Sequence, residues 1–161
     1  AAAVRAAARA HPRAAAVRWD VGRDWPIADG SVDAVLTVFA PRNLAQARRV
    51  LRRDGSLLLA RPTQRHLRGL REALAGAGID LVGVEAAKED RLAESIAPHF
   101  ATQQTHLIEH PLTLDAAQIA AAVLMGPSAR HVEAARIADA ARELAPVAAQ
   151  ASVLLSVYRP R

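Results

Sequence analysis

Trp19 to Arg61 read WDVGRDWPIADGSVDAVLTVFAPRNLAQARRVLRRDGSLLLAR, and this stretch decides the fold. It contains a nearly unbroken apolar segment, Val32–Phe39, followed by a helical pattern over Leu44–Arg53 and a second apolar segment, Ser56–Ala60. Strands that alternate with helices predict an α/β fold with a parallel sheet. A continuous apolar run such as Val32–Phe39 is typical of a parallel strand that is covered on both faces. Ligands bind beyond the carboxyl ends of such strands, so the loop after Phe39 is the first place to expect a site.

The rest of the chain continues this alternation. Further strands are predicted at Ala14–Asp20, Gln103–Glu109 and Ser152–Tyr158, with a short extended piece at Ile79–Val84. Further helices are predicted at Ala1–Ala10, Gln64–Ala75, Glu85–Ala97, Leu114–Met125 and Glu133–Leu144. The helix at Leu114–Met125 is apolar almost all round, which indicates a buried helix.

Three residues are predicted to bound helices. Asn43 is well placed as an N-cap, because its side chain can accept a hydrogen bond from the first turn of the helix that follows. Thr113 can cap the helix at Leu114–Met125 in the same way. Gly55 suits a left-handed stop after the helix at Leu44–Arg53.

Composition narrows the class of protein. The chain has 161 residues, which predicts one domain, and a formal net charge of +5. A basic surface suits an anionic partner such as RNA. Lys88 is the only lysine, however, and a bias towards alanine and arginine would raise the isoelectric point without any RNA. The chain has no cysteine, which excludes disulfides and a thiolate zinc site within it.

Targeting signals are not apparent in the sequence. No apolar run reaches the length of a membrane span. The alanine-rich start, Ala1–Ala10, carries Arg5 and Arg9 and lacks the apolar core and cleavage site of a secretory signal. The sequence therefore predicts a cytoplasmic protein without a membrane partner.

Two sets of motifs resemble known methyltransferases. The turn and strand over Asp24–Val35 are similar to those of many S-adenosylmethionine-dependent methyltransferases. Val38–Asn43, Ala47–Gly55 and Arg61–Leu67 together resemble the narrower family of large-subunit (23S) rRNA guanine-N1 methyltransferases, which includes the tylosin-resistance enzymes of antibiotic producers. The resemblance runs from about Ala3 to Pro160. It implies methyl transfer from S-adenosylmethionine to N1 of a guanine in large-subunit rRNA, a modification that can confer resistance to some macrolides.

The resemblance also implies a class I methyltransferase (Rossmann-like) sheet, with seven strands in the spatial order three, two, one, four, five, seven, six. In that frame, Ala14–Asp20 matches the third strand, and the four later strands match the fourth to the seventh. The first two strands, the glycine-rich loop and the cysteine-rich zinc module of the family have no counterpart in the sequence. Strands lie about 4.8 Å apart, so the third strand would sit roughly 14 Å from the fourth. We therefore expect residues 1–161 to form a partial catalytic domain that is inactive alone, with strand edges that a homodimer could cover.

The resemblance assigns three residues to the cofactor. Asp20 would accept a hydrogen bond from the adenine amino group, Val21 would offer its backbone N–H, and Ala40 would line the site. For Asp20 the alternative is an acidic residue in a surface turn.

The end of the predicted strand Val32–Phe39 and the loop after it carry the residues expected on the target side. Phe39 could stack on an extruded base, Pro41 would line the target side of the active site, and Asn43 could contact the base. Phe39 could instead be a core residue, Pro41 could only set the turn, and helix capping alone would explain Asn43.

RNA contacts are expected from Arg42, Arg65 and His66. The pH-dependent charge of His66 could instead serve catalysis, and a solvated histidine at the start of a helix is a further alternative. No side chain is a convincing base for the guanine N1 proton. No metal site is predicted, because His106 and His110 would lie about 13 Å apart along a strand.

Two other functions remain open from the sequence. Because the turn motif is widespread, the chain could belong to a small-molecule methyltransferase. It could also be a non-catalytic methyltransferase-like module that only binds a partner.

Overall fold

The computed structural model describes residues 2–81, 87–126 and 132–161. Over these ranges the helices are α1 (Ala2–Arg9), α2 (Leu44–Val50), α3 (Arg68–Gly76), α4 (Ala87–Ile96), α5 (Ala116–Met125) and α6 (Ala134–Leu144). The strands are β1 (Val32–Val38), β2 (Leu51–Pro62), β3 (Phe100–Leu114) and β4 (Val147–Pro160). Most of the predicted extended piece Ile79–Val84, and the start of the helix predicted at Glu85–Ala97, lie outside the described residues. None of the described helices is both long and apolar enough to cross a membrane.

The four strands form one mixed sheet in the order β1-β2-β4-β3. β1 pairs with β2 in parallel, whereas β4 pairs antiparallel with both β2 and β3. If β1 is the fourth strand of the methyltransferase fold, this order is four, five, seven, six. The order of these strands is therefore the one that the resemblance implies.

The β3–β4 ribbon extends past the carboxyl end of β2. Pro62, the last residue of β2, pairs with Val153, and residues 147–152 of β4 continue beyond it, paired with residues 109–114 of β3. α3 packs on this extension so closely that a Cβ atom on Gly69 would lie 2.2 Å from the carbonyl oxygen of Ala148. The ribbon thus forms a wall beside the carboxyl ends of β1 and β2.

Two clusters of buried side chains hold these elements together. Leu70 and Leu74 of α3 pack with Ile119 of α5 and Ile137 of α6. The second cluster joins α2 and α4 to the sheet, and its buried members are Ala47, Leu51, Leu57, Leu59, Leu92, Ile96, Phe100 and Tyr158. Apolar side chains at helical spacing in α3 and at alternating positions in β2 account for both.

The predicted strand at Ala14–Asp20 is not formed. These residues have no regular structure, and Val17 and Trp19 are 68% and 51% exposed. A strand persists only where a neighbour satisfies its backbone hydrogen bonds. The fold places two further strands between the third and the fourth, and no described segment fills those positions.

β1 is not covered on both faces as its apolar sequence suggested. Leu36 and Val38 are 64% and 51% exposed. Among the described strands, only β2 pairs with β1, so one edge of β1 is open. The apolar run is typical of a buried strand, but among the described residues β1 lies at the edge of the sheet.

The helix after β1 ends earlier than predicted. α2 stops at Val50, and the next residues already belong to β2, so Gly55 lies inside a strand and has no positive φ. A Cβ atom on Gly55 would lie 2.8 Å from Cδ2 of Leu51 and 3.0 Å from the carbonyl oxygen of Asp33. Glycine is needed here because β1 approaches closely, and not because a helix ends.

The start and the burial of α5 also differ from the prediction. Asp115, and not Thr113, is the N-cap, and it forms a capping box with Gln118. Leu124 and Met125 at the other end are 46% and 84% exposed, so α5 is buried on one face only.

Candidate functional site

Two loops meet at the carboxyl end of β1 and are joined by Asn43. Its Oδ1 accepts a hydrogen bond from the backbone N–H of Gln46 at 3.1 Å, which caps α2 as predicted. Its Nδ2 donates to the carbonyl oxygen of Val21 at 3.2 Å, and the indole N–H of Trp25 donates to the same oxygen at 3.2 Å. Asn43 therefore fastens the loop at residues 20–25 to the loop that follows β1.

The turn before β1 is held by the polar side of α2. Arg49 donates to the carbonyl oxygens of Trp25 and Ile27, each at 2.9 Å, and forms an ion pair with Asp29. Gln46 accepts from the backbone N–H of Trp25 at 3.0 Å. Arg49 therefore fixes the segment that leads from the loop at residues 20–25 into β1.

Four of the predicted site residues line one hollow of about 470 Å³: Val21, Ala40, Pro41 and Arg42. Its other walls are Trp25 and the exposed side chains of β1. Pro41 and Arg42 also line a neighbouring hollow of about 600 Å³, together with Asn43 and His99. The loops after residue 20 and after β1 thus converge, as the prediction requires.

Asp20 lies apart from this hollow. Its Oδ1 accepts from the backbone N–H of Gly22 at 2.9 Å, and its Oδ2 lies 3.7 Å from Nε of Arg23. It borders a smaller hollow of about 380 Å³ with Trp19 and Arg18. The carboxylate is exposed and is held by its own turn.

Phe39 is presented to solvent by a strained backbone. Its φ is +49°, a left-handed conformation that side chains other than glycine rarely adopt. The backbone N–H of Phe39 donates to the carbonyl oxygen of Ala60 at 3.1 Å, which holds this conformation in place. The side chain is 52% exposed, so Phe39 is not a core residue. Such strain costs on the order of 1–3 kcal/mol and clusters at functional sites.

The ring of Phe39 meets His66 edge to face, with ring centres 5.3 Å apart and planes at 73°. Nδ1 of His66 accepts a hydrogen bond from the backbone N–H of Ser152 at 3.2 Å. Burial lowers the pKa of His66 below its usual value, and the positive charge of Arg71 lowers this pKa further. His66 is therefore a half-buried, neutral imidazole and not a freely solvated one.

Behind His66 runs a directed chain of hydrogen bonds that sequence reasoning missed. The backbone N–H of Arg65 donates to Oγ1 of Thr63 at 3.1 Å, and Oγ1 of Thr63 lies 2.6 Å from Oγ of Ser152. Ser152 donates to Oε1 of Glu109 at 2.7 Å. Because a carboxylate only accepts, the hydroxyl of Ser152 must receive its hydrogen bond from Thr63. A buried serine on β4, opposite Glu109 on β3, carries this chain, and the pairing of the two strands was needed to reveal it.

The same chain of hydrogen bonds also engages Arg65. Nη2 of Arg65 lies 3.3 Å from Oε1 of Glu109, and the arginine side chain remains 58% exposed. Glu109 thus offsets part of the charge of Arg65 while it accepts from Ser152 inside the sheet. Among the residues that the structure describes, no group of three or more acidic or histidine side chains could hold a metal ion.

The residues around the hollow fit the adenosine end of S-adenosylmethionine. Val21, Trp25 and Pro41 give an apolar wall suited to a flat base, and the backbone of the loop after β1 lies at the carboxyl end of a parallel strand. The described residues include no glycine-rich loop for the methionine end. The fit therefore concerns one end of the cofactor.

Comparison with known proteins identifies close relatives. A protein of Micromonospora griseorubida with the provisional name 23S rRNA (guanine-N(1)-)-methyltransferase is 44% identical over 161 residues, which cover 98% of the chain and 52% of that protein. The 23S rRNA (guanine(748)-N(1))-methyltransferase of Streptomyces fradiae is 42% identical over 159 residues, covering 98% of the chain and 55% of that protein. The chain spans about half the length of the curated relatives it matches. No protein-family model matches it.

A solved structure agrees on the fold. The crystal structure of a Bacillus halodurans protein, provisionally described as a methyltransferase, matches with a TM-score of 0.51 and 13% identity, over 92% of the chain and 78% of that protein. At that identity the match concerns the fold alone. The predicted class I methyltransferase fold, with an incomplete sheet, is confirmed, and so is the resemblance that the motifs carry.

Proposed function

We propose that this chain, a homologue of the 23S rRNA guanine-N1 methyltransferases, is part of the catalytic domain of an enzyme that methylates N1 of a guanine in large-subunit rRNA. The observation that carries the proposal is 42–44% identity to two proteins of that name over 98% of the chain. The converging loops at the carboxyl end of β1 support it, because that is where this fold binds its ligands.

S-adenosylmethionine is the proposed methyl donor, and it supplies an electrophilic methyl group on a sulfonium centre. Val21, through its backbone N–H, and Ala40 would contact the adenine in the hollow that they line. Asp20 would accept from the adenine amino group once its exposed carboxylate turns from Arg23 towards the hollow. The solvated ion pair contributes little, and the rotation would also give up the hydrogen bond from the backbone N–H of Gly22.

The target base is proposed to lie on Phe39. A half-exposed aromatic ring can stack on any extruded base, and stacking is worth about 1–3 kcal/mol per base. Pro41 fixes the path of the loop, and Asn43 holds that loop to the cofactor side through Val21. Catalysis would then rest mainly on alignment of N1 with the methyl group.

Arg42 and Arg65 are proposed to meet rRNA phosphates. Arg42 lines the rim of both hollows, and the exposed part of Arg65 lies beside His66 in the chain. The net charge of +5 would favour encounter with RNA at low salt.

Further roles of the protein are proposed with this activity. Methylation of large-subunit rRNA would take place in the cytoplasm, and resistance to some macrolides is an expected consequence. The open edge of β1 could pair in a homodimer, since unpaired strand edges favour association.

The first test is binding of S-adenosylmethionine by equilibrium dialysis, to this chain and to the complete gene product that contains it. Methyl transfer to a 23S rRNA hairpin is then measured for the gene product. Phe39→Ala should lower kcat/KM by about 5- to 150-fold, since one stacked base is lost. Leu124→Ala, at a similarly exposed apolar residue on α5, is the matched control and should leave kcat/KM unchanged.

Outcomes of this test separate the proposal from the other functions that the sequence leaves open. Methylation of small molecules but not of rRNA would favour a small-molecule enzyme and overturn the proposal. Failure of the gene product to bind S-adenosylmethionine would indicate a non-catalytic module.

A further inference from the structure

His66 is clamped at three of its atoms. Its backbone N–H donates to the carbonyl oxygen of Thr63 at 3.1 Å, and its own carbonyl oxygen accepts from the guanidinium of Arg71. Its ring nitrogen Nδ1 accepts from the N–H of Ser152. Leu67, the next residue, has a φ of +53° and donates its N–H to the carbonyl oxygen of Gln150 at 2.7 Å. A residue held this firmly presents its remaining ring nitrogen in a fixed direction.

The clamp decides which ring nitrogen carries the proton. A backbone N–H can donate only to a lone pair, so Nδ1 of His66 is unprotonated and the proton of the neutral ring lies on Nε2. Burial and Arg71 lower the pKa of His66, which keeps the ring neutral near pH 7. Arg71 is the charged group that acts on the ring, and Glu109, which accepts from the hydroxyl of Ser152, is engaged by Arg65.

Nε2 is available to a ligand. Among the described residues it has no hydrogen-bond partner, and it is not one of their buried unpaired polar atoms. The His66 ring lies against Phe39, the proposed stacking platform, and Phe39 is followed directly by three residues that line the hollow. The structure therefore offers a fixed N–H donor beside the ring on which the base is proposed to stack.

We propose that His66 selects guanine and assists its methylation by donating a hydrogen bond from Nε2 to O6 of the target base. This inference rests on the proposed function. Guanine carries an acceptor, O6, where adenine carries a donor, the N6 amino group. A fixed N–H donor favours guanine and leaves two donors opposed when adenine enters.

The same hydrogen bond assists the chemical step. The bond between N1 and the methyl carbon forms as the bond from that carbon to the sulfonium sulfur breaks, and the sulfur leaves as a neutral thioether. The N1 proton passes to solvent water. As N1 loses its proton, negative charge spreads to O6, where a preorganised donor stabilises it. His66 does not take up the N1 proton, because Nε2 already bears one and Nδ1 is occupied.

The test compares His66→Ala with His66→Gln in the complete gene product, using a 23S rRNA hairpin with guanine or 6-thioguanine at the target. Gln keeps an N–H near the position of Nε2, whereas Ala removes it. We expect kcat/KM to fall by about 10²–10³-fold in His66→Ala, the usual effect of losing one such donor, and by about tenfold or less in His66→Gln. His106→Ala, at an exposed histidine on β3, is the control and should change nothing.

Comparing guanine with 6-thioguanine in the same variant distinguishes a lost hydrogen bond from a general loss of activity through misfolding. Sulfur accepts hydrogen bonds weakly, so the unmodified protein should prefer guanine, and this preference should vanish in His66→Ala. Two results would overturn the role of His66 and leave the proposed function intact. One is an equal loss of kcat/KM in His66→Gln and His66→Ala. The other is a preference for guanine over 6-thioguanine that is unchanged in His66→Ala.

Nitrogen NMR of His66 gives a readout that does not depend on activity. The protonated nitrogen should be Nε2 in the unmodified protein, and a proton on Nδ1 of an active enzyme would refute the inference while leaving the proposed function intact. If the unmodified gene product methylates no rRNA, the proposed function falls and this inference falls with it.

Discussion

Replacing Ser152 with alanine should destabilise the protein more than the same change at Ser156, although both side chains are buried on β4. Ser152 is 0% exposed and Ser156 is 2% exposed. They differ in their partners. The hydroxyl of Ser152 donates to the carboxylate of Glu109 at 2.7 Å and accepts from Thr63 at 2.6 Å, whereas that of Ser156 meets, among the described residues, only the hydroxyl of Thr105 at 3.2 Å.

The magnitudes follow from these partners. A hydrogen bond to a charged group contributes about 1.5–3 kcal/mol, and one between neutral groups about 0.5–1.5 kcal/mol. In Ser152→Ala, Glu109 keeps its ion pair with Arg65 and partial access to water, which offsets part of the free energy lost with the hydrogen bond from Ser152. Ser152→Ala should therefore cost about 2–3 kcal/mol and Ser156→Ala about 0.5–1.5 kcal/mol in the free energy of unfolding. For a domain of this size the first value corresponds to a Tm lower by about 4–12 °C.

Urea unfolding followed by circular dichroism measures both variants, and thermal melts give an independent value. Thr63→Val removes the bond to Ser152 and the bond from the backbone N–H of Arg65, both between neutral groups, and should fall between the two serine variants. The backbone N–H of Ser152 stays in place in Ser152→Ala, so the Nε2–H form of His66 should persist in NMR spectra. If Ser152→Ala costs no more than Ser156→Ala, the directed chain from Thr63 to Glu109 does not hold the sheet as reasoned.

Three further predictions concern the loops, the packing of α3 and the response to pH. Asn43→Ala should cost about 1 kcal/mol of stability through the lost cap. Asn43→Asp keeps the cap but not the donor to Val21, so it should speed hydrogen exchange in the loop at residues 20–25 with less effect on Tm. Gly69→Ala should destabilise by about 1–3 kcal/mol because its Cβ would overlap a backbone carbonyl, whereas Gly76→Ala, with open space around it, should stabilise by up to about 1 kcal/mol. Because the pKa of His66 is lowered on folding, its contribution to stability is complete above the usual value of about 6.5 and is lost as pH falls from there through the lowered pKa of the folded state.

Each of these has a measurement that would contradict it. Exchange in Asn43→Asp that is no faster than in the unmodified protein would mean that the bond to Val21 does not order the loop. Thermal melts that rank Gly69→Ala at or above Gly76→Ala would refute the close packing of α3. Urea midpoints measured from pH 5 to pH 8 should decline at the acidic end in the unmodified protein and decline less in His66→Gln, and parallel curves would remove His66 as the cause.

The sequence by itself determined the order and type of most elements. Apolar runs at Val32–Phe39 and Ser56–Ala60, with a capped helix between them, are local signals, and the structure has β1, α2 and β2 there. Asn43 was identified as a cap for the same reason, because capping depends on residues a few positions apart. Motifs near the carboxyl end of β1 were enough to indicate the family resemblance.

Tertiary structure decided what depends on distant neighbours. Ala14–Asp20 alternates like a strand yet forms none, since a strand needs a paired neighbour and the described chain provides none there. The contact between Ser152 and His66 joins residues far apart in sequence, so no local pattern shows which nitrogen of His66 bears its proton. The same holds for Gly55, whose glycine is required by the approach of β1, and for Phe39, whose exposure follows from a backbone held by β2. Local chemistry fixes the elements, whereas the site arises only where their ends converge.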